Sequence, residues 1–274
     1  MVTSKTLNIV EDNDLVYIQF PKLCKIDFVR HTFSTRHGGV STGDAASMNL
    51  SFNKDSSSEN VIKNFEILCG AVGIDTANLV LSHQTHTNNV IVVDGSYRGT
   101  GITKPSFFDV DGMITAEKNV ALVTQYADCT PLVFCDPIKK VIATSHAGWR
   151  GTVKLIGKVT VEKMVSEFGC DPKDIIAGIG PNIGKCCYEV DDPVINEFKK
   201  LEGLEFDKFI IPKEKGKYML DLAEANRQIL TLAGIKNENI DVSDICTCCN
   251  AKDLHSHRAT GGKRGNLALI IQMV

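Results

Sequence analysis

Residues 127–151 read ADCTPLVFCDPIKKVIATSHAGWRG, and the architecture turns on this stretch. Leu132-Val133-Phe134 and Val141-Ile142-Ala143-Thr144 are short runs of β-branched and aromatic side chains, the composition of buried strands. Between them, Asp136-Pro137 and then Ile138-Lys139-Lys140 give a tight connection, as an antiparallel hairpin requires. Cys129 precedes one arm and His146 follows the other. The outer ends of paired arms lie side by side, so the hairpin puts a thiol and an imidazole within bonding distance.

Working outward, Val16-Tyr17-Ile18-Gln19-Phe20, Val90-Ile91-Val92-Val93 and Val120-Ala121-Leu122-Val123 read as further strands, and residues 266–272 as a closing strand. Leu155, Ile156, Val159, Met164, Val165 and Phe168 recur at helical spacing, which predicts one amphipathic helix over 152–168 ended by Gly169. Residues 193–199 and 220–233 pass the same test, the second ended by Gly234. The expected fold class is α+β, a mixed or antiparallel β-sheet sandwich flanked by helices. The polar stretch Asn53 to Glu59 spans only a loop, so a single domain over residues 1–274 is expected.

A net charge of -3, with 43% hydrophobic and 23% charged residues, shows no bulk attraction to nucleic acid or anionic lipid. No apolar run approaches the ~20 residues needed to cross a bilayer, and MVTSKTLNIVEDNDL lacks the pattern of a signal peptide. A cytoplasmic protein with a small-molecule substrate is the expectation, with no nucleic-acid or membrane partner. Ten cysteines in 274 residues are too sparse for a disulfide scaffold and read as thiols.

Gln84-Thr85-His86, Ala127-Asp128-Cys129-Thr130-Pro131 and Ser145-His146-Ala147-Gly148-Trp149-Arg150-Gly151 each place a reactive side chain at the edge of an apolar run. Two imidazoles and a thiolate suit zinc, and a catalytic zinc keeps three protein ligands with a fourth position open. A second reading needs no metal: Cys129 is a nucleophile, His146 its base, and Asp128 or Gln84 an orienting group. Taken singly, each histidine also reads as a hydrogen-bonded strand-end residue and Cys129 as a small buried hydrophobe. Arg36, beside Gly38-Gly39, is a candidate for holding phosphate, and Asn49 for a sugar hydroxyl or a local turn. Cys246-Thr247-Cys248-Cys249 and Cys186-Cys187 invite a second zinc, Cys246 and Cys249 having the two-residue gap of a zinc knuckle; no matching distant Cys-X-X-Cys pair is present, so His255 or His257 would have to complete the set.

Those three segments, together with Asp111-Gly112, Gly180-Pro181-Asn182-Ile183-Gly184, Phe33-Ser34-Thr35-Arg36-His37-Gly38-Gly39-Val40-Ser41 and Ser47-Met48-Asn49-Leu50, resemble the laccase-domain family. It is also called the multicopper polyphenol oxidoreductase or purine nucleoside phosphorylase family, and the likeness runs in order from about residue 30 to the end. The resemblance implies that His86, Cys129 and His146 are zinc ligands, in a fold likened to cysteine hydrolases. It implies phosphorolysis of adenosine, inosine and methylthioadenosine, with purine nucleoside and inorganic phosphate as substrates and adenosine deamination as a side activity, for which Asp128 is the candidate proton carrier. The older laccase label implies copper and phenol oxidation. Seven histidines, with a His-X-His pair only at His255-Ser256-His257, are too few for a multicopper centre, though a single copper would suit the same ligands. Ser256-His257-Arg258-Ala259-Thr260-Gly261 departs from the family's tail, lacking its second arginine and its acid.

Overall fold

The computed structural model describes residues 1–55 and 57–274; Ser56, inside the expected Asn53 to Glu59 loop, lies outside the described residues. The hairpin forms as read: strand Thr130–Asp136 pairs antiparallel with Val141–Ala147, Thr130 opposite Ala147 and Pro131 opposite His146. Its arms are central in a six-stranded sheet ordered Ile240–Val242, Ile176–Ile179, Thr130–Asp136, Val141–Ala147, Gly112–Thr115, Val90–Val92. A seven-stranded sheet is ordered Asn8–Asp12, Leu15–Gln19, Val29–Ser34, Leu267–Met273, Ala121–Tyr126, Leu79–His83, Phe107–Phe108. Parallel pairs, such as Leu79–His83 with Ala121–Tyr126, make both sheets mixed.

Successive residues of a strand point to opposite faces, and here both faces are buried. Val133 and Cys135 pack inward with Leu122, Tyr126, Leu269 and Ile271 of the facing sheet. Leu132 and Phe134 pack outward under Ile156, Val161 and Met164 of helix Ile156–Phe168. On the far side, Val61, Phe65 and Leu68 of helix Ser58–Ala71 cover Leu79, Val123 and Ile270. The result is a mixed α+β fold of two facing sheets with helices outside. A three-stranded sheet, Glu189–Asp191, Lys217–Leu220 and Ile210–Pro212, has its own small core with helices Asp192–Phe198 and Leu222–Leu232.

Two local expectations change. The helix expected over 152–168 is two, Trp149–Val153 and Ile156–Phe168, because Leu155 adopts φ 59 between them. That turn lets Val153 and Leu155 pack on the small sheet's core while Ile156 faces the large sheet. The closing strand forms as read, Leu267–Met273, and sits between Val29–Ser34 and Ala121–Tyr126. Helix Ser58–Ala71 starts within what read as a polar loop, its signal diluted by the preceding serines. No helix among the described residues is long and apolar enough to cross a membrane.

Phe134, fully buried between strand and helix, is the test of this packing. Phe134→Ala should lower unfolding stability by about 3–5 kcal/mol, the usual cost of emptying a core aromatic site. Urea denaturation showing a loss below about 1 kcal/mol would refute the packing described.

Candidate active site

Three loops converge at one end of the sandwich. Cys129 lies one residue beyond the paired end of its arm, beside His146 on the other. His86 comes from the loop after Leu79–His83, in a left-handed conformation at φ 67. The His86 and His146 rings are 4.8 Å apart, Cys129 Sγ is 3.7 Å from His86 Nε2, and all three ligand atoms lie within 4.8 Å of one another. Gly148 closes over them; a Cβ there would stand 2.8 Å from His86 Cδ2 and 3.0 Å from Cys129 Sγ, which only glycine avoids.

The organiser of the centre is Asp111, fully buried just before strand Gly112–Thr115. Its carboxylate accepts from the backbone N–H of Thr85 (3.1 Å), His86 (3.1 Å) and Thr87 (2.8 Å), from Thr87 Oγ1 (2.8 Å) and from His146 Nδ1 (2.8 Å). An ionised carboxylate only accepts, so Nδ1 carries the proton and His146 Nε2 is the free donor atom. Tyr126 packs its ring on His146 at 5.5 Å and hydrogen-bonds the Ser145 carbonyl at 3.0 Å.

Burial works to raise the pKa of Asp111, but the hydrogen bonds from His146 and Thr87 hold it down at about 2. Burial likewise opposes charge on Cys129, yet the neighbouring imidazoles of His146 and His86 bring its thiol down to about 6. Against its own burial, His146 is held up at about 9 by the Cys129 thiolate and by Asp111. The pair thus shares one proton at neutral pH. Two imidazole nitrogens and a low-lying thiol around one point, with the outer nitrogen of His146 braced by a carboxylate, fit a borderline-soft divalent ion.

A cavity of about 820 Å³ opens over these three side chains. Phe107, Phe108, Trp149 and Tyr188 give it aromatic walls, and Arg150, Arg258 and Arg264 line it. Arg150 stacks on Trp149 at 4.3 Å and Arg258 on Tyr188 at 5.4 Å. The Nε of Arg264 is buried without a protein partner.

The other expected site residues are placed differently. Arg36 does not line the cavity: Nε and Nη2 donate to the Ala46 carbonyl and Nη1 to that of Ala251, so its fork ties two loops together. Asn49 is fully buried; its amide bonds the Ser51 carbonyl and Asp55, and its oxygen accepts from the N–H of Ser51 and Asn266, the local-turn alternative. Asp128 does line the cavity, but its oxygens accept from Thr247 Oγ1 and the Arg258 N–H, each at 2.6 Å. Both are engaged, so it positions a loop rather than standing free as a base. Asp111 is the functional residue that carried no role in the sequence reading. Its signal was an acid directly ahead of the apolar Gly112-Met113-Ile114, a place where a charge needs partners.

The model of a family described as multi-copper polyphenol oxidoreductase laccase matches residues 30–274. The chain belongs to that family. Within the laccase family's neighbourhood, a protein named purine nucleoside phosphorylase YlmD, from Bacillus subtilis, is 38% identical over 243 residues, covering 88% of this chain and 87% of that one. A protein named adenosine deaminase RL5, from an unknown prokaryotic organism, is 34% identical over 252 residues, 89% of this chain and 96% of that one. Among solved structures, the Bacillus licheniformis hypothetical protein YfiH superposes with a TM-score of 0.91 at 32% identity, covering 98% of this chain and 100% of that one. The superposition supports the mixed α+β fold; the comparison to cysteine hydrolases gains no support from it.

Since an ion must displace the proton that Cys129 and His146 share, the apparent zinc affinity should rise with pH. The expected slope is about one log unit per pH unit between about 6 and about 9, flattening above the His146 value. Chelator competition across that range measures it; a flat profile would show that the pair does not carry the proton. Asp111→Asn, which keeps the shape and loses the charge, should weaken zinc binding about ten- to hundredfold.

Proposed function

We propose that this chain is a zinc-dependent purine nucleoside phosphorylase, acting on adenosine, inosine and methylthioadenosine with adenosine deamination as a side activity, and that it works as one cytoplasmic domain. The observation that carries this reading is a single cavity uniting the His86, Cys129, His146 set with aromatic walls and three arginines. The names of the relatives, purine nucleoside phosphorylase and adenosine deaminase, point to the same substrates.

In phosphorolysis a phosphate oxygen bonds the anomeric carbon as the bond from that carbon to the purine nitrogen breaks; the base leaves with a proton and the pentose keeps the phosphate. Phe107, Phe108, Trp149 and Tyr188 offer planar faces for the purine, a contact worth roughly 1–3 kcal/mol per stacked base. Phosphate needs a cationic fork, and Arg150, held against Trp149 and exposed, presents one to the cavity. Arg264, with its unpaired buried Nε, adds positive charge deeper in. When bound, zinc on His86, Cys129 and His146 would supply Lewis acidity toward negative charge developing on the substrate. Zinc rather than copper is the proposed ion, the three-ligand set with one position open being that of a catalytic zinc.

A metal-free hydrolase is the second reading, favoured by the thiol of Cys129 lying near pKa 6 beside a histidine that Asp111 orients. The two part under chelation: the zinc phosphorylase loses activity and the thiol hydrolase keeps it.

Incubation with adenosine, with and without inorganic phosphate, and chromatographic separation of adenine from inosine tests the proposal. Adenine release is expected only with phosphate, and inosine independently of it. Arg150→Lys should raise the phosphate KM about ten- to hundredfold, equivalent to roughly 1.5–3 kcal/mol for a lost charge-assisted fork, while zinc content stays intact. Arg36→Lys should leave the phosphate KM unchanged, because that side chain bonds backbone carbonyls outside the cavity. Phosphate-independent adenine release would sink the phosphorylase.

A further inference from the structure

The strands Ile176–Ile179 and Ile240–Val242 run parallel and paired, so the loops leaving their C-terminal ends emerge together. Pairing continues past the strands through the bridge between Asn182 and Cys246. Two cysteines from each loop then meet: Cys186 and Cys187 from one, Cys246 and Cys249 from the other, with all four sulfurs within 4.8 Å of one another. Cys249 Sγ is 3.4 Å from the Sγ of both Cys186 and Cys187. That spacing is no disulfide, which needs about 2.05 Å. Four thiolates around one ion at about 2.3 Å would stand about 3.8 Å apart, which falls inside the observed spread.

Two further features suit a thiolate cage. The backbone N–H groups of Gly184 and Cys249 donate to Cys246 Sγ at 3.2 and 3.5 Å, bonds that a sulfur accepts best when it carries charge. Gly184 has no side chain where a Cβ would press on Cys246 Cβ at 3.1 Å and Cys186 Sγ at 3.3 Å, so the loops can close. No imidazole or carboxylate belongs to the group, and four soft ligands at tetrahedral spacing select zinc over magnesium, calcium or manganese.

We propose that Cys186, Cys187, Cys246 and Cys249 form a second metal site, a closed structural site for one zinc ion, separate from the His86, Cys129, His146 centre. A site with four protein ligands keeps no open position, so it holds loops rather than reacting. The loops it would hold matter to the cavity. Ile183 donates its N–H to the Asp128 carbonyl at 2.9 Å, Thr247 bonds the Asp128 carboxylate, and Tyr188 is a cavity wall. Binding is four Zn–S bonds formed and the thiol protons released to solvent, with no change of oxidation state.

The test is a metal count on the full chain, purified under reducing conditions and reloaded with zinc, and it needs no assay of activity. The wild type should bind two zinc ions per chain, Cys186→Ser/Cys249→Ser one, Cys129→Ala one, and the combined variant none. Cobalt substituted into Cys129→Ala should give the intense near-ultraviolet band of several thiolates on one ion; in Cys186→Ser/Cys249→Ser the band should shrink to that of one. Equal zinc in the wild type and Cys186→Ser/Cys249→Ser, or no zinc in Cys129→Ala, overturns the proposal. If that variant does not fold, alkylation of the wild type decides instead. Zinc should slow iodoacetamide modification of Cys186 and Cys249 by on the order of tenfold or more, leaving exposed Cys24 unaffected. Equal modification with and without zinc overturns the proposal. A failed phosphorolysis assay leaves this count untouched, so the two proposals fail separately.

Discussion

One buried carboxylate holds the centre together. Asp111 accepts three backbone N–H groups from residues 85–87, a threonine hydroxyl and the outer nitrogen of His146. Hydrogen bonds to a charged acceptor contribute roughly 1.5–3 kcal/mol each, and an ionised group stripped of them in the interior would be prohibitively costly. Loop and carboxylate therefore require each other: the loop closes because the charge must be satisfied, and the charge is tolerable because the loop closes. His86 and His146 face one another as a consequence.

That constraint also accounts for the strained backbone nearby. His86 at φ 67 and Asp128 at φ 85 occupy a region that costs a non-glycine residue on the order of 1–3 kcal/mol. Each is held there by bonds on both sides, His86 through its N–H to Asp111 and Asp128 through its carboxylate to Thr247 and Arg258. Such offsets are possible only where a rigid frame stands behind the loops. The frame is the hairpin, whose residues Thr130–Asp136 and Val141–Ala147 are buried throughout between the facing sheet and an outer helix.

Charge distribution separates the cavity from the rest of the molecule. The chain carries a formal net charge of -3, yet three arginines line one opening. Two are stacked on aromatic rings, which fixes the guanidinium plane and limits the entropy lost when an anion binds. An acidic protein with a local cationic pocket repels bulk polyanions while keeping one place suited to a small anion.

The hairpin, and with it the meeting of Cys129 and His146, was legible because strand composition and a short turn are local signals, and pairing across a turn leaves few alternatives. His86 was legible as a ligand candidate by residue type and by family likeness, though nothing local shows that residues 84–86 reach the hairpin. Arg36 and Arg150 illustrate the limit. Both lie beside glycines in motif-like segments, and only burial and bonding partners separate the loop tie from the cavity residue. The break at Leu155 was hidden because apolar spacing records which residues seek a core, and here two cores compete for adjacent residues. Sequence alone determined the central hairpin, several of its neighbouring strands and the reactive side chains, including the cysteines near residues 186 and 246. Tertiary structure decided which of them share a point in space, because Asp111, the stacked arginines and the paired cysteine loops are joined across tens to hundreds of residues by burial and hydrogen bonding rather than by any spacing along the chain.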